Sequence, residues 1–215
     1  MKRLTRKEKQ AHTRECLMHS AASVFARRGL QQASIDEVAE DAGFTKGAFY
    51  ANFKNKEELF LAMLDERFAK RIEAIEAAIS SEGSSAEKSR RYGETFARKL
   101  RADREWERLF FEFSAYALRD EDFREELVTR YRAMRERITA AFEAEDQEYG
   151  KEAMLPYEQV ALMTSAMSHG FELQKLLEGD AVPDELYGTM LMIFFAGLDA
   201  LKAAAPAAAP AAAPS

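Results

Sequence analysis

Residues 34–60 read SIDEVAEDAGFTKGAFYANFKNKEELF, and the pattern predicts two short helices joined by a tight turn and running into a long third. Ser34 with Glu37 three residues later is a capping box, after which Ile35, Val38, Ala39 and Ala42 share one helical face. Gly43 supplies a left-handed stop, and Phe44 can plug the angle between the crossing helices. Thr45 caps a second helix, expected from Lys46 to about Phe53, which turns Phe49 and Phe53 inward and leaves Lys46, Gly47 and Tyr50 outside. A helix of about two turns is marginal alone in water, so packing must hold it and its outer face has a use. Asn55 with Glu58 is another capping box and opens the long helix that carries Leu59, Phe60 and Met63.

Outward from this stretch the chain reads as all-α. A first helix is expected from about Arg6 to Arg28, with Leu17, Ala21, Val24 and Phe25 on one stripe and Gly29 as its stop. The basic residues of 1–10 can lie along a phosphate backbone or stay solvated. The helix from Asn55 is expected to continue to about Ser80, with Phe60, Leu64, Phe68, Ile72, Ile75 and Ile79 in register. After a loop at SEGSSAE come a helix of about Glu87 to Leu100, an aromatic helix capped by Asp103, and a long amphipathic helix from about Phe123 to Phe142. Residues 143–155 read as a polar loop, Pro156 starts a helix to Gly179, and Pro183 opens the last. Leu186 to Leu201 is apolar on nearly every side, and the helix before it interleaves Ala161, Ser165, Ala166 and Gly170 with larger residues. Such a terminal pair favours packing against another copy. Proline at every fourth residue of the C-terminal KAAAPAAAPAAAPS blocks a continuous helix and predicts a flexible extension.

Charge divides the chain. Residues 1–56 hold 11 Lys and Arg against 6 Asp and Glu, about +5, while the remainder holds 20 against 31, about −11. A basic module on an acidic body suits a protein that rests one end on nucleic acid. The single cysteine, Cys16, excludes an intramolecular disulfide and fits a reducing cytoplasm; its place in the first apolar stripe marks it as a packing residue. MKRLTRKEKQ has no apolar run behind its charge and does not read as a signal peptide. Met190 to Leu198 falls short of the roughly 20 residues of a membrane span.

IDEVAEDAGF followed by TKGAFYANFKNKEELF resembles the DNA-binding signature of the TetR family of transcriptional regulators. The resemblance covers roughly the first 60 residues and implies a DNA-binding domain over 1–56, a helical effector-binding and dimerisation domain over 57–203, and an Ala/Pro tail over 204–215. It implies a homodimer on a roughly palindromic operator of double-stranded DNA, with the recognition helix in the major groove, and a small-molecule effector. Thr45, Lys46 and Gly47 then stand at the leading end of the recognition helix, within reach of base edges. Tyr50, Asn52 and Lys56 match backbone-clamping positions, and Ser34 caps a helix whose N–H groups can hold a phosphate. Asn52 stands where the family usually has histidine, so its partner, phosphate or base, stays open.

Catalytic signatures are absent: no phosphate-cradling glycine loop, HExxH or GxSxG occurs, and His12, His19 and His169 lack ligand spacing. No metal and no cofactor are expected. His169 reads as a core or interface histidine, and the Met and aromatic stripes as core by default. The resemblance also implies a cavity among the middle helices, for which Trp106, Phe110 and Phe113 on one helix and Met163, Met167 and Phe171 on another are the candidate walls, suited to an apolar or flat aromatic molecule. Glu112 and Glu172 interrupt these apolar runs and are expected to face solvent, whereas one pointing inward would favour a cationic ligand. Ala161, Ser165, Met192 and Phe195 are the candidate dimer contacts. The rival readings are a regulator or architectural protein with a filled body and no ligand, and a carrier or enzyme with a vestigial helix-turn-helix.

Overall fold

The computed structural model describes residues 5–148 and 154–204 and is helical throughout, with no strand among those residues. The helices are α1 (Arg6–Arg28), α2 (Ile35–Asp41), α3 (Lys46–Tyr50), α4 (Lys56–Ile79), α5 (Ser85–Ala102), α6 (Arg104–Ala117), α7 (Glu121–Glu148), α8 (Tyr157–Glu178) and α9 (Leu186–Ala204), with a single 3-10 turn at Gly179–Ala181. The capping boxes at Ser34 and Ser84 form with Glu37 and Glu87, and Thr45 and Asn55 each accept a backbone N–H at the start of their helices. Gly43 stops α2 with φ 74°, a conformation that a side chain would strain.

Several boundaries differ from the pattern. The second short helix stops at Tyr50, because Ala51 and Asn52 turn the chain; Phe53 lies beyond it and is buried all the same. The polar stretch after Phe142 stays helical to Glu148, since long charged side chains are good helix formers when solvated. The Ser84 cap starts α5 two residues early, and α9 begins at Leu186 instead of at Pro183. The loop around Gly150 and the tail from 205 onward lie outside the described residues, as do residues 1–4.

One apolar core runs unbroken from α1–α3 through α4 into α6 and α7. Its hub is Phe60 on α4, stacked at 3.5 Å on Phe113 and at 5.6 Å on Trp106, both from α6. A second cluster, Phe96, Leu100, Phe171, Val182, Tyr187 and Leu191, joins α5 to α8 and α9. There α5 and α9 touch backbone to backbone, and a Cβ on Gly93 would fall within the van der Waals envelope of the Gly188 backbone.

An 18-residue window of α9, Leu186–Ala203, is apolar enough to cross a membrane by length and composition, with mean hydropathy 1.3. The expectation from Met190–Leu198 alone underestimated it. One edge of α9 is docked on α5 through Tyr187 and Leu191, but Ile193 is 69% exposed and Leu201 56%. On α8, Leu162, Met163, Leu173 and Leu177 are likewise exposed.

Gly93→Ala should destabilise the fold by about 1–3 kcal/mol, the usual cost of overpacking, measured as a lower urea midpoint; an unchanged midpoint would mean that the α5–α9 crossing is looser than this contact requires.

Candidate functional site

The surface that carries Lys46 is assembled by α1 and α4 as much as by α2 and α3. Ser20 on α1 donates to the Val38 carbonyl at 3.1 Å and to Asp41 at 2.6 Å, which fixes α2 across α1. Those bonds, first from Ser20 and then from Arg27, hold the Asp41 carboxyl below the usual carboxylate range. Phe49 is fully buried, and α3 packs on α2 and α1, so α3 is anchored by one face and presents the other.

On that outer face Thr45 caps α3 by accepting the Ala48 N–H at 3.2 Å, and Lys46 donates to Asp36 at 2.9 Å. The Asp36 hydrogen bond raises the Lys46 ammonium above the usual lysine value. The pair is exposed on both sides, so releasing Lys46 toward another acceptor costs little. Arg28 pairs with Glu37 in the same way, so both acids in the first turn of α2 are matched by a base. Ser34 is occupied by its own capping box, accepting from Glu37 N and donating its N–H to the Glu37 carboxylate. A Cβ on Gly47 would meet only Thr45 Oγ1, so the approach there is open, and Tyr50 stands 52% exposed.

Two of the remaining candidates are engaged within the protein. Asn52 donates its amide to the Ala48 carbonyl at 2.8 Å, while Arg14 from α1 donates to the Asn52 carbonyl at 3.0 Å and lies over the Phe53 ring. Lys56 points away from α3: its ammonium donates to the carbonyls of Leu30 at 2.7 Å and Ala33 at 2.9 Å. Glu112, expected to face solvent, instead accepts the Leu30 N–H at 2.6 Å across 82 residues of sequence. Periodicity placed Lys56 and Glu112 at helix positions but carried no sign of the loop peptide that both grip.

A cavity of about 550 Å³ lies within the bundle of α4, α5, α7, α8 and α9. Its walls are Ile75 and Ile79 of α4, Tyr92 of α5, Ile138 and Phe142 of α7, Val160, Thr164 and Ser165 of α8, and Tyr187, Leu191 and Phe195 of α9. The six aromatic and methionine positions expected as walls line none of it. Trp106 and Phe113 are stacked on Phe60 in the main core, Phe110 packs on His169, Phe171 packs on Phe96 and Tyr187, and Met163 faces outward. The reason is competition: the rings of α6 fill its junction with α4, leaving the cavity to a mixture of aliphatic and aromatic residues from α4, α5, α7, α8 and α9. Ala161 and Ser165, expected at a dimer contact, are buried inside the protomer, and Phe195 faces the cavity; Met192 is half-exposed.

At the inner end, Arg71 from α4 donates to Glu172 at 3.0 Å and to Ser168, and lies over the Phe96 ring. Glu172 is 3% exposed, against the expectation of solvation; burial pushes its carboxyl up while Arg71 opposes the shift. Burial, reinforced by the Glu172 charge, raises Glu107 to about 7. Burial, with Arg71 nearby, depresses His169 to about 4. Among the described residues no group of three His, Cys, Asp or Glu is placed to hold a metal ion.

A helix-turn-helix module continuous with a helical body that encloses a cavity defines the class of helix-turn-helix regulators with a helical companion domain. The family profile for bacterial regulatory proteins of the tetR family matches residues 17–63, and that for the C-terminal part of BetI-type transcriptional repressors matches 85–200. The chain belongs to the TetR family. The transcriptional activator FasR of Mycolicibacterium smegmatis is 31% identical over 110 residues, 51% of this chain and 48% of the relative. The fatty acid metabolism regulator protein of Bacillus subtilis is 31% identical over 72 residues, 34% of this chain and 37% of the relative. The chain thus spans less than half the length of these curated relatives. Among solved structures, FadR of Bacillus subtilis in complex with stearoyl-CoA superposes with TM-score 0.67 at 16% identity, covering 83% of this chain and 95% of that one. Salmonella enterica GusR gives TM-score 0.68 at 20% identity, covering 92% and 98%. At these identities the likeness is one of fold.

Lys46 and Lys56 should separate in mutagenesis. Lys56→Ala should cost about 1–3 kcal/mol of stability through its two charge-assisted bonds, read by denaturation, whereas Lys46→Ala should leave stability within about 0.5 kcal/mol; equal stabilities would contradict the grip on Leu30 and Ala33. The pH response of Glu107 has a definite sign. Its raised value means stability present below the ordinary carboxylate range and lost as pH rises through about 7. Glu107→Gln should therefore gain on wild type as pH climbs from about 4.5 to about 7 and hold that margin above. His169 contributes in the opposite sense, present above its ordinary value and lost as pH falls toward about 4, but it is common to both proteins and drops out of the difference.

Proposed function

We propose that this protein is a sequence-specific DNA-binding transcriptional regulator, a repressor that leaves its operator when a small apolar molecule fills the cavity. The observation that carries the reading is the pairing of an outward α3, with Thr45, Lys46, Gly47 and Tyr50 free of the core, with a cavity lined by α4, the helix whose first residue, Lys56, holds the loop leading into α2. The BetI-type repressor match over 85–200 supports the sign of regulation. The complex of Bacillus subtilis FadR with stearoyl-CoA shows a fold of this kind holding a ligand.

In this reading Thr45, Lys46 and Gly47 meet base edges, and Tyr50 with Asn52 and the α2 N-terminus at Ser34 contacts the backbone. Lys56 acts one step back, through the Leu30–Ala33 loop that leads into α2. The working partition is a DNA-binding part over 1–56 and an effector and dimerisation part over 57–203, acting in the cytoplasm where the DNA is. The homodimer forms through the outward faces of α8 and α9, and Leu162, Leu173, Leu177 and Ile193 replace Ala161, Ser165 and Phe195 as its core contacts. Release requires the ligand to favour one arrangement of α4 over the other by a few kcal/mol.

Affinity for operator fragments selected from a random-sequence pool should fall linearly with log salt, because phosphate contacts release counterions. Ile193→Glu should yield a monomer by sedimentation and lose cooperative operator binding, since it places a charge in an apolar interface. A dimer that survives Ile193→Glu would move the interface elsewhere, and failure to select any preferred sequence would sink the regulatory reading.

A further inference from the structure

The cavity is a channel with two chemically different ends, and its direction can be read from all five helices. Along α4 the lining runs from Arg71 through Ile75 to Ile79, a path of about 12 Å at 1.5 Å per residue, and continues to Glu82 just past the helix end. Along α9 it runs in the same direction from Tyr187 through Leu191 and Phe195 to Asp199 and Lys202, and along α7 from Ile138 through Phe142 to Glu145 and Asp146. Helices α5 and α8 run the opposite way, from Ser85 inward to Tyr92 and from Tyr157 inward to Ser165. The inner end is therefore Arg71 with Tyr92, Tyr187 and Ser165, the middle is apolar, and the outer end is charged.

The two ends differ in sign. At the mouth the lining carries Glu82, Glu145, Asp146 and Asp199 against Lys88 and Lys202. Lys88 is held between Glu145 and the Ile79 carbonyl, so among the described lining residues Glu82, Asp146 and Asp199 stand against Lys202. Three helices, α4, α7 and α9, point their negative C-terminal ends at the mouth, against two N-terminal ends from α5 and α8. The last turn of α7 contains no basic residue. Inside, Arg71 is already engaged by Glu172 and Ser168, which leaves an electrically balanced floor.

The geometry points to a cationic single-chain amphiphile as the effector class, its tail along Ile75, Ile138 and Leu191 and its positive group at the mouth beside Asp146 and Asp199, with polyanionic head groups such as coenzyme A thioesters disfavoured. This rests on the reading of the cavity as the effector site and adds the chemistry that the site selects. An apolar body is drawn in by the apolar walls whatever its head group, so the wall sets affinity and the mouth sets preference. The mouth also sets orientation, because a cation carried to the balanced floor would lack a partner of its own.

The test is calorimetric titration of the full chain with decyltrimethylammonium, decyl maltoside, decanoate and decanoyl-CoA, each below its micelle-forming concentration. Decyltrimethylammonium should bind at least about tenfold tighter than decanoate or decanoyl-CoA, a margin that shrinks as added salt screens the mouth. The double substitution Asp146→Asn and Asp199→Asn should remove most of that margin and leave decyl maltoside unchanged; Asn at 146 still accepts the Tyr157 hydroxyl. Ile75→Trp, at a half-buried wall position, should weaken all four, with circular dichroism checking its fold. If decanoate or decanoyl-CoA equals the cation, or the margin survives the double substitution, the cationic class is wrong while the channel remains the binding site. If none of the four binds, or binding ignores Ile75→Trp in a folded protein, the effector reading of the cavity falls with it.

Discussion

The peptide at Leu30 is held from both sides by opposite charges. Its carbonyl accepts from the Lys56 ammonium at the start of α4, and its N–H donates to the Glu112 carboxylate on α6. Leu30 sits between the end of α1 and the cap of α2, and Lys56 also takes the Ala33 carbonyl next to that cap. Position and tilt of the helix-turn-helix relative to the body are thus set by three charge-assisted hydrogen bonds from two side chains to one loop, each stronger than an ordinary neutral hydrogen bond. Gly29 is part of the same device: it ends α1 at φ 74°, and a side chain there would press on the Glu112 carboxylate. Little else polar is needed, because Phe60 carries the apolar core straight through the junction.

Helix α4 connects that junction to the cavity. Lys56, Phe60, Phe68, Arg71, Ile75 and Ile79 lie along it in order, from the loop contact through the aromatic hub to the cavity floor and wall. Interiors are close-packed and transmit displacement instead of absorbing it. A ligand that moves α4 at Ile75 therefore acts on the Leu30 loop through a continuous helix and a packed core, and the partner contact from Glu112 makes α6 move or lose its bond.

What the sequence disclosed and what it withheld divide along physical lines. Ser34, Gly43, Thr45 and Asn55 act within a few residues, through caps and a left-handed turn, and the module they build was legible from them. Apolar period likewise gave every helix. The ring-rich helix that suggested a ligand wall turned out to be core, because period marks a face as inward without saying whether that face meets a neighbour or a void. Lys56, Glu112, Arg71 and Glu172 were obscure for a different reason. Each acquires its role from a partner 26 to 101 residues away, and a lone charge on a helix reads as solvated until that partner is known. Phe195 and Ile193 show the same limit at shortest range: on an all-apolar helix two residues differ in face, and only the docking of Tyr187 and Leu191 on α5 decides which one looks inward.

That docking also decides in which direction the cavity can yield. Helix α9 is clamped to α5 by the glycine crossing at Gly93 and Gly188, and in the proposed dimer its outer face and that of α8 are pinned by the partner copy. Two of the five walls are then fixed to each other and a third is backed by an interface. The walls left to move are α7, which turns a charged face to solvent, and α4, which packs on α7 and reaches beyond the cavity to the aromatic hub and the Leu30 loop. In the proposed dimer, expansion of the channel is directed away from the dimer face and onto the helix whose Lys56 holds the loop leading into the recognition module. A monomer would lose part of this asymmetry, since α8 would be free to give way, so the proposed dimer would serve the coupling as well as the spacing of two recognition helices on DNA.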